Sequence, residues 1–314
     1  MIKIDNNSDI LMISHISDID GMGSVVLSKL FSNMDIMLLS IEEVKNALNE
    51  LILNNKYKKI YMCDLAIEDD LADKISGKLP ITHFDHHISN IYVSNYSWST
   101  VIPEEDGFKP SGTSLFYEYL INENIIKKTP KIDTFVEAIR ANDTWDLNSK
   151  EIQLGKRLSM LFQMFGPLKF IETFLSRLKD ESQEFKLSST ESFIIETKED
   201  EMKRYIEDCD KNIIKTQIFN YNVGVVIAEL YRSELGNQLS EKYKEELDFI
   251  IIIDFHRKSF SMRTVTDVDL SIVSQKFGGG GHRKAAGFPM NTENLEIFLN
   301  IIKEASKESD KSEN

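Results

Sequence analysis

Cysteine is nearly absent from this chain of 314 residues: Cys63 and Cys209 are the only two, and they lie far apart. That excludes a disulfide framework and a zinc ribbon, fits a reducing compartment, and leaves both thiols as packing residues. Long apolar runs are missing too. No stretch of 18 or more apolar residues exists, and the start Met1-Ile2-Lys3-Ile4-Asp5-Asn6-Asn7 has neither the cationic opening nor the apolar core of a secretory signal. A cytoplasmic location is the expectation. Positive charge is also scarce, 37 bases against 51 acids for a net charge of −14, so a broad basic groove for long duplex DNA is not expected. Bound divalent cations can reverse the potential over a small acidic pocket, so a phosphate ester substrate remains compatible with that balance. What is present is the 41% hydrophobic, 28% charged composition of an ordinary globular protein, at a length that favours two domains.

Half of the six histidines fall in the stretch His83-Phe84-Asp85-His86-His87. Imidazole with carboxylate suits Mn, Fe or Zn, but neighbours on an extended segment point to opposite faces, so other segments must complete any metal site. The chain around it alternates. Apolar runs at Asp9–His15, Asp35–Leu39, Lys59–Cys63 and Ile81–Phe84 read as strands, and Ser24–Phe31, Glu42–Leu53 and Glu68–Ile75 as helices. Four alternations of this length predict right-handed crossovers and a mainly parallel sheet. His15, Asp18 and Asp20 then follow the first of these strands, Asp64 closes the third, and Asp85, His86 and His87 close the fourth. In an open parallel sheet those carboxyl ends face one crevice. Helix N-capping would account for Asp20 or Asp64 singly, but it has no use for the histidines. Ser111 or Thr113 caps a further helix, and the helix through Phe135–Arg140 ends at Asp143, a candidate ligand.

From 148 to 215 the sequence is rich in Leu, Phe, Met, Glu and Lys, which reads as a helical connector. A second αβ unit follows, with strands at Tyr221–Ala228, Asp248–Phe255 and Ser259–Val265, and helices at Gly236–Lys244, Leu270–Phe277 and Thr292–Ala305. The tail beyond Ser306 is expected to be disordered. Between the last two helices lies Gly278-Gly279-Gly280-Gly281-His282-Arg283-Lys284. Successive glycines permit positive φ and expose backbone N–H groups, as an anion-binding loop requires, and the cationic residues follow at once. No Gly-Lys-Ser/Thr ending is present, which excludes a P-loop.

Two divalent cations roughly 3.5–4 Å apart need a bridging carboxylate and about seven donors in total. His15, Asp18, Asp20, Asp64, Asp85, His86 and Asp143 could supply them. A ligand set of N and O without thiolate points to Mn²⁺, with Mg²⁺, Co²⁺ or Fe²⁺ as alternatives.

These motifs in this order resemble the DHH phosphoesterases that carry a DHH-associated carboxy-terminal domain, and the nanoRNase (oligoribonuclease) branch in particular. His15-Ile16-Ser17-Asp18-Ile19-Asp20-Gly21 is similar to the first motif, Asp64 to the second, Asp85-His86-His87 to the third and Asp143 to the fourth. Ser261-Met262-Arg263-Thr264 and the Gly278–His282 run are similar to the paired signatures of the associated domain. The resemblance implies that Asp20, Asp64, His86 and Asp143 hold one metal while His15, Asp18 and the bridging Asp64 hold the other. It also implies that Asp64, Asp85 and His87 act in catalysis, Asp85 by orienting a ligand and His87 by touching the scissile phosphate. Arg263, Gly279, Gly280, Gly281 and His282, with His87, would bind the substrate. Two departures stand out: only two residues separate His15 from Asp18 where many members have three, and Asp143-Thr144-Trp145 replaces a frequent Asp-Thr-Gly. The second keeps Asp146 in view as a ligand.

The expected fold is α/β: a catalytic domain over 1–147 with a mainly parallel sheet flanked by helices, a connector over 148–215, and a smaller α/β substrate-binding domain with a mixed sheet over 216–306. The function it implies is Mn²⁺-dependent hydrolysis of short oligoribonucleotides to mononucleotides by two-metal activation of water. Expected partners are short single-stranded RNA oligonucleotides or dinucleotides, with no long duplex DNA and no membrane, and the chain is compatible with a homodimer. The alternatives are hydrolysis of a linear or cyclic dinucleotide or of 3′-phosphoadenosine 5′-phosphate, and, from another class, a non-catalytic nucleotide-binding regulator.

Overall fold

The computed structural model describes residues 1–180 and 184–312 and separates into two compact units, Met1–Ile195 and Glu196–Asn314. Both are α/β. In the first, the strands are β1 (Ile2–Ile4), β2 (Ile10–His15), β3 (Asp35–Leu39), β4 (Lys59–Cys63), β5 (Ile81–Asp85) and β6 (Ser99–Val101), in the sheet order β1-β3-β2-β4-β5-β6. All neighbours from β3 to β6 are parallel, and only the edge strand β1 runs against its partner. The helices are α1 (Ile19–Phe31), α2 (Ile41–Asn54), α3 (Asp69–Ile75), α4 (Gly112–Asn122), α5 (Pro130–Asp143) and α6 (Ile152–Lys179), while α7 (Ser189–Lys211) passes from one unit to the next.

This sheet is covered on both faces, and the period of two in its strands sorts the side chains between two cores. Met12, Ile36, Leu38, Tyr61 and Phe84 join the aromatic side with Phe116 and Phe135. Leu11, Ile13, Met37, Leu39, Ile60 and Met62 pack on the other face against α2 and α3 through Val44, Leu48, Leu71 and Ile75. Part of the stretch expected to act as a connector is built into the first core: Leu158, Phe162, Phe170 and Phe174 of α6 and Ile195 of α7 belong to it. α6 bends at Gly166, whose φ of 70° is followed by Pro167, a residue that cannot continue the hydrogen-bond ladder.

The second unit holds β7 (Ile214–Ile218), β8 (Tyr221–Ile227), β9 (Phe249–Asp254), β10 (Ser259–Arg263), β11 (Gly280–His282) and β12 (Ala285–Pro289), with α8 (Arg232–Lys242), α9 (Leu270–Gln275) and α10 (Thr292–Ser312). Its order is β11-β12-β10-β9-β8-β7, mixed, with β8 and β9 the parallel pair. Here too the faces alternate, Ile251, Ile253, Phe260 and Met262 to one core and Ile250 and Ile252 to the other.

Three expectations need correction. α1 begins at Ile19 rather than Ser24, because Asp18 caps it by accepting the Gly21 N–H at 3.1 Å. The glycine run is not a free loop: Gly280–His282 pairs antiparallel with Ala285–Gly287 as an edge hairpin. α10 continues to Ser312 through most of the tail expected to be disordered, and Glu313 and Asn314 lie outside the described residues. No helix among the described residues is long and apolar enough to cross a membrane.

Candidate active site

The carboxyl ends of β2, β4 and β5 bring the predicted ligands of the first unit together. The β2–α1 turn is tight because position 21 is glycine: a Cβ there would lie 2.0 Å from the His15 carbonyl oxygen. The turn places His15 Nδ1 2.9 Å from Asp18 Oδ2, so Asp18 serves as cap and as ligand candidate at once. Asp20, fully buried in the first turn of α1, faces the amino terminus of α4. There its carboxylate accepts the N–H groups of Gly112 at 2.7 Å and Thr113 at 3.0 Å. Ser111 caps α4, accepting the Ser114 N–H at 3.3 Å.

Asp64 stands at the centre. It follows β4 with φ 56°, a left-handed conformation that aspartate adopts more readily than most residues, and its N–H donates to the Phe84 carbonyl at 2.9 Å. One carboxylate oxygen lies 3.6 Å from His15 Nδ1 and the other 3.5 Å from His86 Nε2. Gly112 makes this approach feasible, since a Cβ there would come within 2.8 Å of Asp64 Cβ. His86 Nε2 is also 3.3 Å from Asp143 Oδ2, at the end of α5. The donor atoms thus form three tight groups: His15, Asp18 and Asp64; Asp20, His86 and Asp143; and Asp64, Asp85, His86 and His87.

Asp85, like Asp20, already has its oxygens engaged. The buried carboxylate accepts from the His86 N–H at 2.8 Å, from His87 Nδ1 at 2.7 Å and from Asn90 Nδ2 at 2.6 Å. His87 is half exposed, with its other ring nitrogen free of that contact. His83 is buried on β5 with Nδ1 2.8 Å from Ser99 Oγ and Nε2 2.9 Å from the Leu65 carbonyl, a structural histidine. Asp146 lies outside the cluster, paired with Arg140 at 2.7 Å.

Crowding four carboxylates in a buried space has electrostatic consequences. Burial, together with the charges of Asp64 and Asp143, raises Asp20 well above the usual carboxylate range, and burial above all pushes Asp143 up to about 6. The Asp18 and Asp64 carboxylates raise His15 to about 10. Burial opposes the charged form of His86, but the nearby carboxylates of Asp64, Asp20 and Asp143 outweigh it and raise the ring to about 9. Protons held this tightly mark a place that demands positive charge. Two buried atoms there, His86 Nε2 and Asp143 Oδ2, have no hydrogen-bond partner. An orphaned imidazole nitrogen beside an orphaned carboxylate oxygen, with no thiolate, fits a divalent cation such as Mn²⁺ or Mg²⁺.

Two substrate-binding candidates of the second unit share one row of its sheet. Arg263, Ala285 and His282 lie in one register row across β10, β12 and β11. Arg263 donates to Ser233 Oγ at 3.1 Å and the Met262 carbonyl at 2.9 Å, and its stem packs over Gly236, where a Cβ would lie 2.5 Å from Arg263 Cγ. Burial and the nearby Arg232 disfavour its charge. Gly280 and His282 are exposed and Gly279 partly so. Arg283 and Lys284, exposed cations next to the glycine run, also donate to the backbone carbonyls of Asp267 and Thr266. Sequence reasoning missed Asn90 and the Gly112–Thr113 amides, which support Asp85 and Asp20.

A buried set of carboxylates and imidazoles thus gathers at the carboxyl edge of a parallel sheet, with two orphaned atoms and no thiolate, the donor chemistry of a divalent-cation site. No protein-family model matches the chain. It is similar to the oligoribonuclease NrnB of Bacillus subtilis (strain 168), 30% identical over 297 residues that cover 90% of this chain and 73% of that protein. The fold is shared with a pGpG-specific phosphodiesterase, PggH, of Vibrio cholerae (TM-score 0.56, 14% identity, 95% of this chain and 99% of that one). It is shared as well with the exonuclease RecJ bound to manganese (TM-score 0.53, 12% identity, 95% and 90%). The chain belongs to the DHH phosphoesterase family and is an enzyme of the phosphodiesterase type.

Proposed function

We propose that this protein hydrolyses short oligoribonucleotides to mononucleotides with two divalent cations, Mn²⁺ being the first candidate. The observation that carries the reading is Asp64, whose two oxygens face His15 on one side and His86 on the other. That is the placement of a carboxylate shared between two metal sites, one completed by Asp18 and the other by Asp20 and Asp143. Held by these residues, a pair of such cations would supply an activated water and positive charge for the phosphate in an in-line displacement. The chain's own residues do the rest. Asp85 fixes the imidazole of His87, and its charge favours the protonated ring. His87 can therefore present Nε2–H to a non-bridging phosphate oxygen. Arg263, His282 and the Gly279–Gly281 backbone supply donors for the remainder of a short nucleotide chain. The similarity to an oligoribonuclease supports RNA as the substrate class, and a manganese-bound fold relative supports the metal.

Purified protein with Mn²⁺ should shorten di- to pentaribonucleotides, and Asp64→Ala should not. A panel with pGpG and 3′-phosphoadenosine 5′-phosphate alongside separates the substrate classes. Cleavage of one of those esters with the oligonucleotides left intact would overturn the proposal, and turnover by Asp64→Ala equal to wild type would overturn the site.

A further inference from the structure

The turn after Asp143 holds a residue that the phosphate chemistry does not use. Asp143 ends α5, Thr144 caps it, and Trp145 follows with φ 54°. A bulky side chain in the left-handed region crowds its own carbonyl, and such conformations persist where the surroundings over-determine them. Here they do. The Asp146 N–H donates to the Ala141 carbonyl at 3.0 Å, and the Leu147 N–H to the Trp145 carbonyl at 2.9 Å. The Asp146 carboxylate accepts from the Asn148 N–H at 3.1 Å and from Arg140 Nη2 at 2.7 Å. Arg140, with a side chain only 4% exposed, donates to Glu137 at 2.7 and 2.6 Å and to the Lys109 carbonyl at 3.1 Å. Ser149 Oγ closes the ring of contacts by donating to Glu137 at 2.6 Å.

A buried guanidinium between two carboxylates is a weak source of net stability, because desolvation offsets most of the attraction. What this one does is hold the turn in a single shape, and the shape presents an indole that is 69% exposed two residues from Asp143. The same guanidinium sits 4.6 Å from the ring centroid of Phe108, itself 47% exposed, so a second aromatic is fixed by the same anchor with one face covered. A solvent-facing indole, carried on a turn held in one shape two residues from Asp143, is a surface on which a nucleobase can stack. Stacking accepts any base, since every base has a π face, and a backbone turn fixed in advance has less entropy to lose on binding.

We propose that Trp145 is the stacking platform for the nucleobase adjoining the phosphate held at the Asp64 centre, so that the turn after α5 forms a base subsite. The inference rests on the oligonucleotide reading above. Its test uses Mn²⁺-loaded full-length protein with pApA and with an analogue lacking one base, comparing wild type, Trp145→Ala and Trp145→Phe. Trp145→Ala should raise KM for pApA roughly 5- to 150-fold, the range for one lost stack, with kcat within about 3-fold. Trp145→Phe should recover most of the loss, and KM for the abasic analogue should move less than about 2-fold. A methylene-bridged, uncleavable pApA should quench tryptophan fluorescence in wild type and not in Trp145→Phe, in which Trp98 remains as the internal reference. An unchanged KM, an equal rise for the abasic analogue, or a shift in oligomeric state in place of KM would each overturn the subsite. If wild type leaves pApA uncleaved, the oligonucleotide reading fails and quenching alone decides: its loss in Trp145→Phe supports the platform, and no quenching in wild type overturns it.

Discussion

Asp64 and Asp254 occupy matching places, each a buried carboxylate at the carboxyl end of a central strand, one in each unit. Their surroundings are opposite. Asp254 meets Arg232 at 3.4 Å and Arg257 at 3.5 Å and accepts the Arg257 N–H at 2.8 Å, so its charge is balanced from within the chain. Asp64 has only two imidazoles and further acids around it, and the imidazoles are driven far above their ordinary pKa to supply the missing charge. A fold that brings its own counter-ions to one strand end and omits them at the other has left the second for something that binds. The contrast fits the proposed division of chemistry in the first unit from grip in the second.

Removing each aspartate breaks the comparison most sharply. Asp64→Ala should lower kcat/KM by more than about 10³-fold with Mn²⁺ present, while thermal stability holds or rises because like-charge crowding is relieved. Asp254→Ala should do the reverse, losing about 1–3 kcal/mol of stability as the arginines lose their partner and keeping turnover within about 10-fold. Denaturant melts and steady-state kinetics on both variants check it, and equal effects on the same readout would dissolve the distinction. Next in size is Asp85→Asn, for which a loss of about 10- to 100-fold in kcat/KM is expected. A merely structural role would leave His87 untouched. A positioning role requires its pKa, now raised chiefly by the hydrogen bond to Asp85, to fall towards the ordinary value, which histidine NMR titration reads directly.

Much of the first unit is legible in the sequence because parallel sheets impose a simple rule: apolar strand, then chemistry. His15, Asp64 and His86 follow from it with no distance in hand. His83 shows the limit, since only Ser99 and the Leu65 carbonyl identify it as structural, and both pairings depend on the neighbouring strand and loop. The support of Asp20 by amides 92 and 93 residues away has no local signal. Asn90 has one local signal, its five-residue offset to Asp85 in the 3₁₀ turn Ile88–Asn95. Short edge strands such as β1, β6 and β11 carry three residues each, too few for a periodic pattern. The glycine run failed for the same reason, because its strand pairing is specified by Ala285–Gly287 and not by its own composition.

Grip should show in KM. Arg263→Ala is expected to raise KM for a dinucleotide about 10-fold with kcat little changed, the loss of one charge-assisted contact. Arg263→Lys should restore part of it, because the ammonium keeps the charge but not the fork that reaches Ser233. A fall in kcat with KM constant would move Arg263 from grip to chemistry and erase the division between the units.

The smallest effects divide the glycines. Gly281 has φ 139°, and a Cβ there would lie 2.5 Å from the backbone Cα of Ala286 on the paired strand, so Gly281→Ala must distort the hairpin and should cost about 1–3 kcal/mol. Gly280, one residue earlier, has open space where its Cβ would be, so Gly280→Ala should change stability by no more than about 0.5 kcal/mol. That neutrality makes it the cleaner probe: any rise in KM for Gly280→Ala reports a ligand passing close to the backbone, because the fold itself has no use for the missing methyl. An unchanged KM alongside unchanged stability would leave the glycine run as architecture for β11 and place the grip of the second unit on Arg263 and His282.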